Sequence, residues 1–237
     1  MLETLWPPST LQIRAGGLRI VAITDEHLPH VCTMTFADIY GDTIPDHAFT
    51  WLFTSTPVAA AQFRWANRAN MSSKEWSLDL AAFNEHTGEF IGAIDLRATN
   101  FATTRCISTG SWVLHKHQGR GYGTTIRRAI CEYGLVTLGA TAMQTVWITS
   151  NHASAAVSAK VGYRMVESVT APAGPNGTPL PAVLAELRRD EYTPNPDVVI
   201  TGHTPSLHEF LTGERPGPAA GGKPRNRQNP SAQPAPP

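Results

Sequence analysis

The chain has 237 residues, 41% of them hydrophobic, and its 19 Lys+Arg balance 19 Asp+Glu. That is material for one good core, and a net charge of zero excludes the strongly basic profile of a nucleic-acid binder and the acidic profile of a disordered chain. The opening MLETLWPPST has no basic and apolar leader, and no apolar run approaches the ~20 residues of a membrane helix, so neither a signal peptide nor a membrane span is expected.

In chain order, LRIVAIT (18–24) reads as a strand. TPVAAAQFRWANRA (56–69) reads as a helix capped by Thr56, with Pro57 at its first position. EWSLDLAAF (75–83) and EFIGAIDLRA (89–98) read as a hairpin whose loop holds Gly88. RCISTGSWVL (105–114) is a further strand. A glycine-rich loop then leads into a helix with Ile126, Ala129, Ile130, Tyr133 and Val136 on one face. Arg127, Arg128 and Glu132 fall off that face, and Gly139 ends the helix. AMQTVWIT (142–149) is a strand, and Asn151 to Gly162 is a short helix with Asn151 as cap and Gly162 as stop. YRMVESV (163–169) and AVLAELRRDE (182–191) are final strands around the turn-rich stretch 170–181. TPSLHEFL (204–211) reads as a last helix. The order indicates an α+β fold, a mixed sheet with helices on its faces, over residues 10–211. Residues 212–237, rich in Pro and Gly and mildly basic through Lys223, Arg225 and Arg227, are expected to be a disordered tail.

Strand, glycines, helix is the order of an anion site. A helix start offers free N–H groups and a positive dipole end, and glycines bring those amides close to a phosphate. A Walker loop requires G-K-[ST], which Gly123-Thr124-Thr125 does not supply. A dinucleotide loop requires G-x-G-x-x-G, and its third glycine would fall at Thr124. Q-G-x-G-x-[GA] does fit, at Gln118, Gly119, Arg120, Gly121, Tyr122 and Gly123.

WVLHKHQGRGYGTTIRRAI resembles the acetyl-CoA motif of the GCN5-related N-acetyltransferase (GNAT) superfamily. NHASAAVSAKVGYR resembles the helix motif that follows it. The resemblance runs from about Leu18 to Leu187, and TGSWV, HQGRGYGT and SNHAS…VSAKVGY together resemble the ribosomal-protein N-terminal acetyltransferase branch. It implies a GNAT fold, a central mixed sheet splayed open near Val113 with coenzyme A in the gap. The backbone of Val113, Leu114 and His115 would pair with the pantetheine arm. The amides from Gln118 to Thr124 (Gln118, Gly119, Arg120, Gly121, Tyr122, Gly123, Thr124) would take the pyrophosphate, and Asn151 opens the helix beside it.

Acetyl transfer requires a neutral amine, donors for the thioester oxygen and a proton for the leaving thiolate. Many relatives place a tyrosine seven residues after the helix asparagine; here that slot is Ser158. The suspected branch uses a serine three residues after it, which makes Ser154 the proton donor. The strand before the loop holds no carboxylate, so Asp95 and Asp79 are the candidate bases, acting through water. Their other reading is as isolated acids that face solvent or brace a loop. Without an obvious base the site favours a low-pKa α-amine over lysine.

His115 and His117, around Lys116, lack a third ligand for a metal and read as surface residues beside the CoA phosphate. Of Trp51, Trp65 and Trp76, core packing is expected for at least two. Cys32, Cys106 and Cys131 are widely spaced without a CxxC pair, which excludes a disulfide framework and suggests reduced thiols in a cytoplasm.

The expected function is an acetyl-CoA-dependent N-acetyltransferase acting on a peptide N-terminus or a small amine by direct attack. It would be monomeric or homodimeric, with neither nucleic acid nor membrane as partner. Transfer of a longer acyl group such as succinyl, and a non-catalytic CoA-binding module, are the alternatives. The segment from Gly41 to Met71 should shape the acceptor pocket.

Overall fold

The computed structural model describes residues 2–214. Its strands are β1 (Gln12–Ala15), β2 (Leu18–Ala22), β3 (Glu75–Asn84), β4 (Phe90–Thr99), β5 (Cys106–Val113), β6 (Ala142–Ile148), β7 (Arg164–Ala173), β8 (Thr178–Arg188) and β9 (Val199–Thr201). They form one sheet in the order β7-β8-β6-β5-β4-β3-β2-β1-β9. The mixed α+β architecture is the expected one.

All neighbours are antiparallel except β5 and β6. That parallel pairing runs from Cys106↔Ala142 to Thr109↔Thr145 and stops. Beyond it, β5 stays with β4 as far as Val113↔Gly92, and β6 stays with β8 as far as Ile148↔Ala182. The sheet therefore forks from Gly110 onward, three residues before the position expected.

Four longer helices accompany the sheet: α1 (Pro57–Asn70), α2 (Tyr122–Cys131), α3 (His152–Val161) and α4 (Pro205–Thr212). Ile126, Ala129 and Ile130 of α2 are fully buried in the main core with Leu18, Leu80, Leu96 and Ile107 of the sheet. Burial of such side chains contributes on the order of 2 kcal/mol each.

The helical face assigned from the 3.6-residue period fails at three places. Arg127 is 3% exposed and Glu132 7%, whereas Val136 is 39% exposed. Glu132 is buried because Tyr192 Oη and Asn195 N each donate to its carboxylate at 2.8 Å. Val136 turns outward because α2 runs on into a π-helical segment, Glu132–Thr137, closed by a bond from Leu138 N to Tyr133 O. The wider turn rotates later residues off the register of an α-helix. Gly134 gives Met143 room there, since a Cβ would stand 2.4 Å from Met143 Sδ and push that side chain aside.

Other boundaries also differ. β7 and β8 extend into the stretch read as a turn, which shrinks to residues 174–177. β1 and β9 were too short to read. The ordered fold starts ahead of residue 10, where Trp6 packs edge-on against Phe210 at 5.6 Å. It also runs past 211, because Thr212 closes α4 and is fully buried. The rest of the expected tail, from 215, lies outside the described residues. Only Trp76 of the three tryptophans considered is core, at 2% exposed; Trp51 is half-buried against Phe49 and Trp65 is 47% exposed.

Candidate active site

A cleft of about 350 Å³ opens at the fork. One wall is Ser111, Trp112 and Val113 at the end of β5, the loop and first turns of α2, and the inner face of α3. The other is Ile39, Tyr40, His47 and Phe49.

The glycine loop is open. Gly119 and Gly121 have φ of +75° and +84°, and a Cβ at either would meet nothing within 4 Å. The first bond of α2 runs from Thr125 N to Gly121 O. The N–H groups of Tyr122, Gly123 and Thr124 are thus left over at a positive helix end. Gly123 keeps the approach clear, since a Cβ there would touch Val157 and come within 3.9 Å of Val113. These donors fit a pyrophosphate. Asn151 Oδ1 caps α3 by accepting from Ser154 N at 2.9 Å.

Of the residues singled out from the sequence, the cleft brings together Val113, Gln118, Gly119, Gly121, Tyr122, Gly123, Thr124, Asn151 and Ser154. Leu114, His115, Arg120 and Asp95 are not in its lining. Leu114 N is already bound to Ile91 O at 2.9 Å, and Gln118 N to His115 O at 3.1 Å, so neither amide is free for a ligand. The Gln118 side chain instead ties the two walls together, donating to Val113 O at 2.9 Å and Ile39 O at 2.8 Å. His117, expected at the surface, is 5% exposed. Its Nε2 lies 3.3 Å from Glu89 Oε1 without hydrogen-bond alignment. Ser158, at the slot where relatives carry tyrosine, is buried and lies outside the lining.

Asp95 is not isolated, and its side chain, 29% exposed, is only partly open to solvent. It pairs across the strands with Asp79, accepts from Gly110 N at 2.8 Å and lies 3.2 Å from Arg97 Nε. Burial, partly offset by Arg97, pushes its carboxyl up to about 6. Asp95 thus fastens the first residue of the fork. Asp79 is bound to Arg64 at 2.9 Å and is likewise raised by burial.

Three further polar groups line the cleft. Tyr40 Oη accepts from Phe49 N at 3.0 Å, which leaves its own proton to donate, and burial pushes the phenol up to about 12, so it stays protonated. His47 Nδ1 lies 3.3 Å from Asp46 Oδ1, and Ser150 Oγ donates to the same oxygen at 2.8 Å. That bond from Ser150 holds the Asp46 carboxyl below its usual range. A proton on Nδ1 is favoured by this neighbour, leaving Nε2 as an acceptor. The third group is Arg127. No motif marks Tyr40 or His47; their only sequence signal is membership of an aromatic-rich segment.

A forked mixed sheet with helix-start amides at its mouth is the architecture of a CoA-dependent acyltransferase. Residues 18–164 match the family model described as Acetyltransferase (GNAT) domain, and the chain belongs to that family. It is accordingly an N-acetyltransferase, with acetyl-CoA as the family's cosubstrate. Solved structures share the fold at low identity. The ribosomal-protein-S5-alanine acetyltransferase of Vibrio fischeri is 13% identical at a TM-score of 0.58, covering 77% of this chain and 99% of its own. The spermidine N-acetyltransferase of Vibrio cholerae, solved with CoA and spermine, is 11% identical at 0.59, covering 74% and 98%. A GNAT-family acetyltransferase from Bacillus anthracis is 12% identical at 0.59, covering 76% and 99%.

Proposed function

We propose that this enzyme acetylates a primary amine, a peptide N-terminus or a small molecule, by direct attack within a ternary complex. The observation that carries this is the fork at Gly110 facing the unbonded amides of Tyr122, Gly123 and Thr124 across one cleft. Bound acetyl-CoA supplies a reactive thioester. Val113 and the loop from Gly119 to Thr124 would hold it, with Arg120 at the rim. None of the three cysteines lines the cleft, and burial pushes Cys131 up to about 11, which supports direct transfer over an acyl-cysteine route. The same three thiols, free of disulfides, support a reducing, cytoplasmic compartment.

We assign the base to His47 rather than Asp95. His47 lines the cleft with Nε2 available, while Asp95 is committed to Gly110 and Arg97. His47 takes the proton from the ammonium, and Asp46 holds the ring. Ser154, in the first turn of α3 and in the lining, is the proton donor for the departing sulfur. An α-amine is favoured as acceptor: neutralising a group of pKa about 7.7–8.0 near pH 7.5 costs under ~1 kcal/mol, against about 4 for lysine. The branch acting on ribosomal-protein N-termini is one such class.

The test is calorimetric titration with acetyl-CoA and Gly121→Asp. A Cβ there meets nothing within 4 Å, but the φ of +84° strains any side chain, so circular dichroism reports the fold while the new anion stands against the pyrophosphate. The expected loss is at least about a hundredfold in affinity. If the native chain binds no CoA, the function is wrong.

A further inference from the structure

Arg127 is the anomaly of the donor wall. It lies on α2, is 3% exposed and lines the cleft. Its Nη2 donates to Ser111 Oγ at 2.8 Å, and the guanidinium lies 5.8 Å from the centre of the Tyr163 ring. Among the described residues, its Nε and Nη1 have no hydrogen-bond partner. Arginine cannot shed its charge when buried, and unpaired N–H groups of a buried cation are costly.

The Asp95 carboxylate attracts Arg127 at a distance, but no internal anion is bonded to it. Among the described residues, no carboxylate lies within ion-pair distance of Arg127. Asp95, at the same fork, is held by Gly110 and Arg97, and Glu132, further along the helix, is held by Tyr192 and Asn195. The pyrophosphate has the amides at the start of α2, five residues before Arg127, and the Arg127 guanidinium is turned to Ser111 on β5 instead. A plain acetyl group carries no charge.

We propose that Arg127 and Ser111 form a carboxylate-binding subsite at the fork end of the cleft. The planar guanidinium suits a carboxylate, and Ser111 Oγ, which accepts from Arg127, keeps its own proton to donate to the same anion. The carboxylate comes on one of the two reactants: at the far end of the acyl chain, or beside the acceptor amine. This rests on the acyltransferase reading above and narrows its substrate.

Calorimetry tests it with two matched pairs. Succinyl-CoA is compared with butyryl-CoA, and, with CoA bound, alanine with alaninamide. The charged member of one pair is expected to bind on the order of tenfold to a hundredfold more tightly. The pair that shows the preference identifies the source. Arg127→Leu should abolish the preference, with circular dichroism reporting the fold. Ser111→Ala, which keeps the charge, should reduce it about threefold to tenfold. Equal binding within both pairs by a native chain that does bind CoA overturns the subsite alone. A preference that survives both substitutions also overturns it. No CoA binding by the native chain overturns the subsite and the acyltransferase reading together.

Discussion

One wall of the cleft is regular structure and the other is not. β5, α2 and α3 are each continuous, and α2 is fixed by an apolar face fully buried in the core. The facing wall, from Ile39 to Phe49, is held by scattered contacts. Tyr40 accepts from Phe49 N, Ala48 O accepts from Gly174 N in the turn after β7, and Asp46 accepts from Ser150. Helix α1 beyond it buries no residue and is anchored by Arg64 to Asp79 and Arg68 to Asp25, with Val58, Phe63 and Trp65 exposed. The donor wall is built to hold one shape. The acceptor wall buries Ile39 and Ala48 and is otherwise joined by ring contacts and a few polar ties, and it is at those ties that substrate choice can vary at least cost to the core.

The sharpest way to break this contrast is to strike the donor wall's backbone. Gly92 faces Val113 where β4 and β5 close the fork, and a Cβ there would stand 2.2 Å from Trp112 O. Backbone cannot yield as a side-chain tip does. Gly92→Ala should destabilise the protein by about 3 kcal/mol in chemical denaturation and lower CoA affinity with it. Removing any one of the polar ties of the facing wall, at Tyr40, Asp46 or His47, should cost less stability than that.

The acceptor wall should show the reverse pattern, a large effect on rate with little on stability. His47→Gln is expected to lower kcat/KM about a hundredfold while leaving the denaturation midpoint nearly unmoved. The loss should shrink as the acceptor amine becomes less basic, because a base is then less needed. A uniform loss across amines would reduce His47 to packing.

Asp95, on β4, clasps the donor wall at Gly110 without lining the cleft. Its folded value of about 6 lies above the ordinary 3.8, so the folded state binds more protons between those values. Stability is fully favoured below pH ~4 and falls as pH rises to ~6. Asp95→Asn keeps an acceptor for Gly110 N and removes the buried charge. It should flatten stability across that window and raise it at pH 8 by about 1 kcal/mol. Unchanged pH dependence would mean that the carboxyl is not the titrating group.

How much was legible follows the same division. The donor wall announced itself because its chemistry is backbone chemistry, and glycines, a cap and a 3.6-residue period are local signals. Gly121, Gly123 and Asn151 are legible as an open loop and a helix cap for that reason. Arg127 was misplaced because a period records apolar faces and cannot say that a charged residue is buried against a ligand cleft. Val136 was misplaced by a π-turn that no local pattern marks. Tyr40 and His47 were missed because their roles depend on Phe49, Asp46 and Ser150, and Ser150 is 103 residues from His47 in the chain. Asp95 was found as a residue but not as the clasp of the fork, because strand register across three strands is not a local property.

The gentlest test uses one motif present on both sides. Thr56 Oγ1 accepts from Ala59 N at 3.2 Å at the start of α1, as Asn151 Oδ1 accepts from Ser154 N at 2.9 Å at the start of α3. Each cap satisfies one N–H of a first turn, so Thr56→Ala and Asn151→Ala should each cost about 1 kcal/mol of stability. Their effects on function should part. Asn151 lines the cleft and its bond fixes the turn that carries Ser154, so its loss should lower kcat several-fold, whereas Thr56 is remote from the lining and its loss should leave kcat alone. Equal effects on kcat would mean that α1 is coupled to the chemistry as tightly as α3, and that the two walls do not differ in the way their contacts imply.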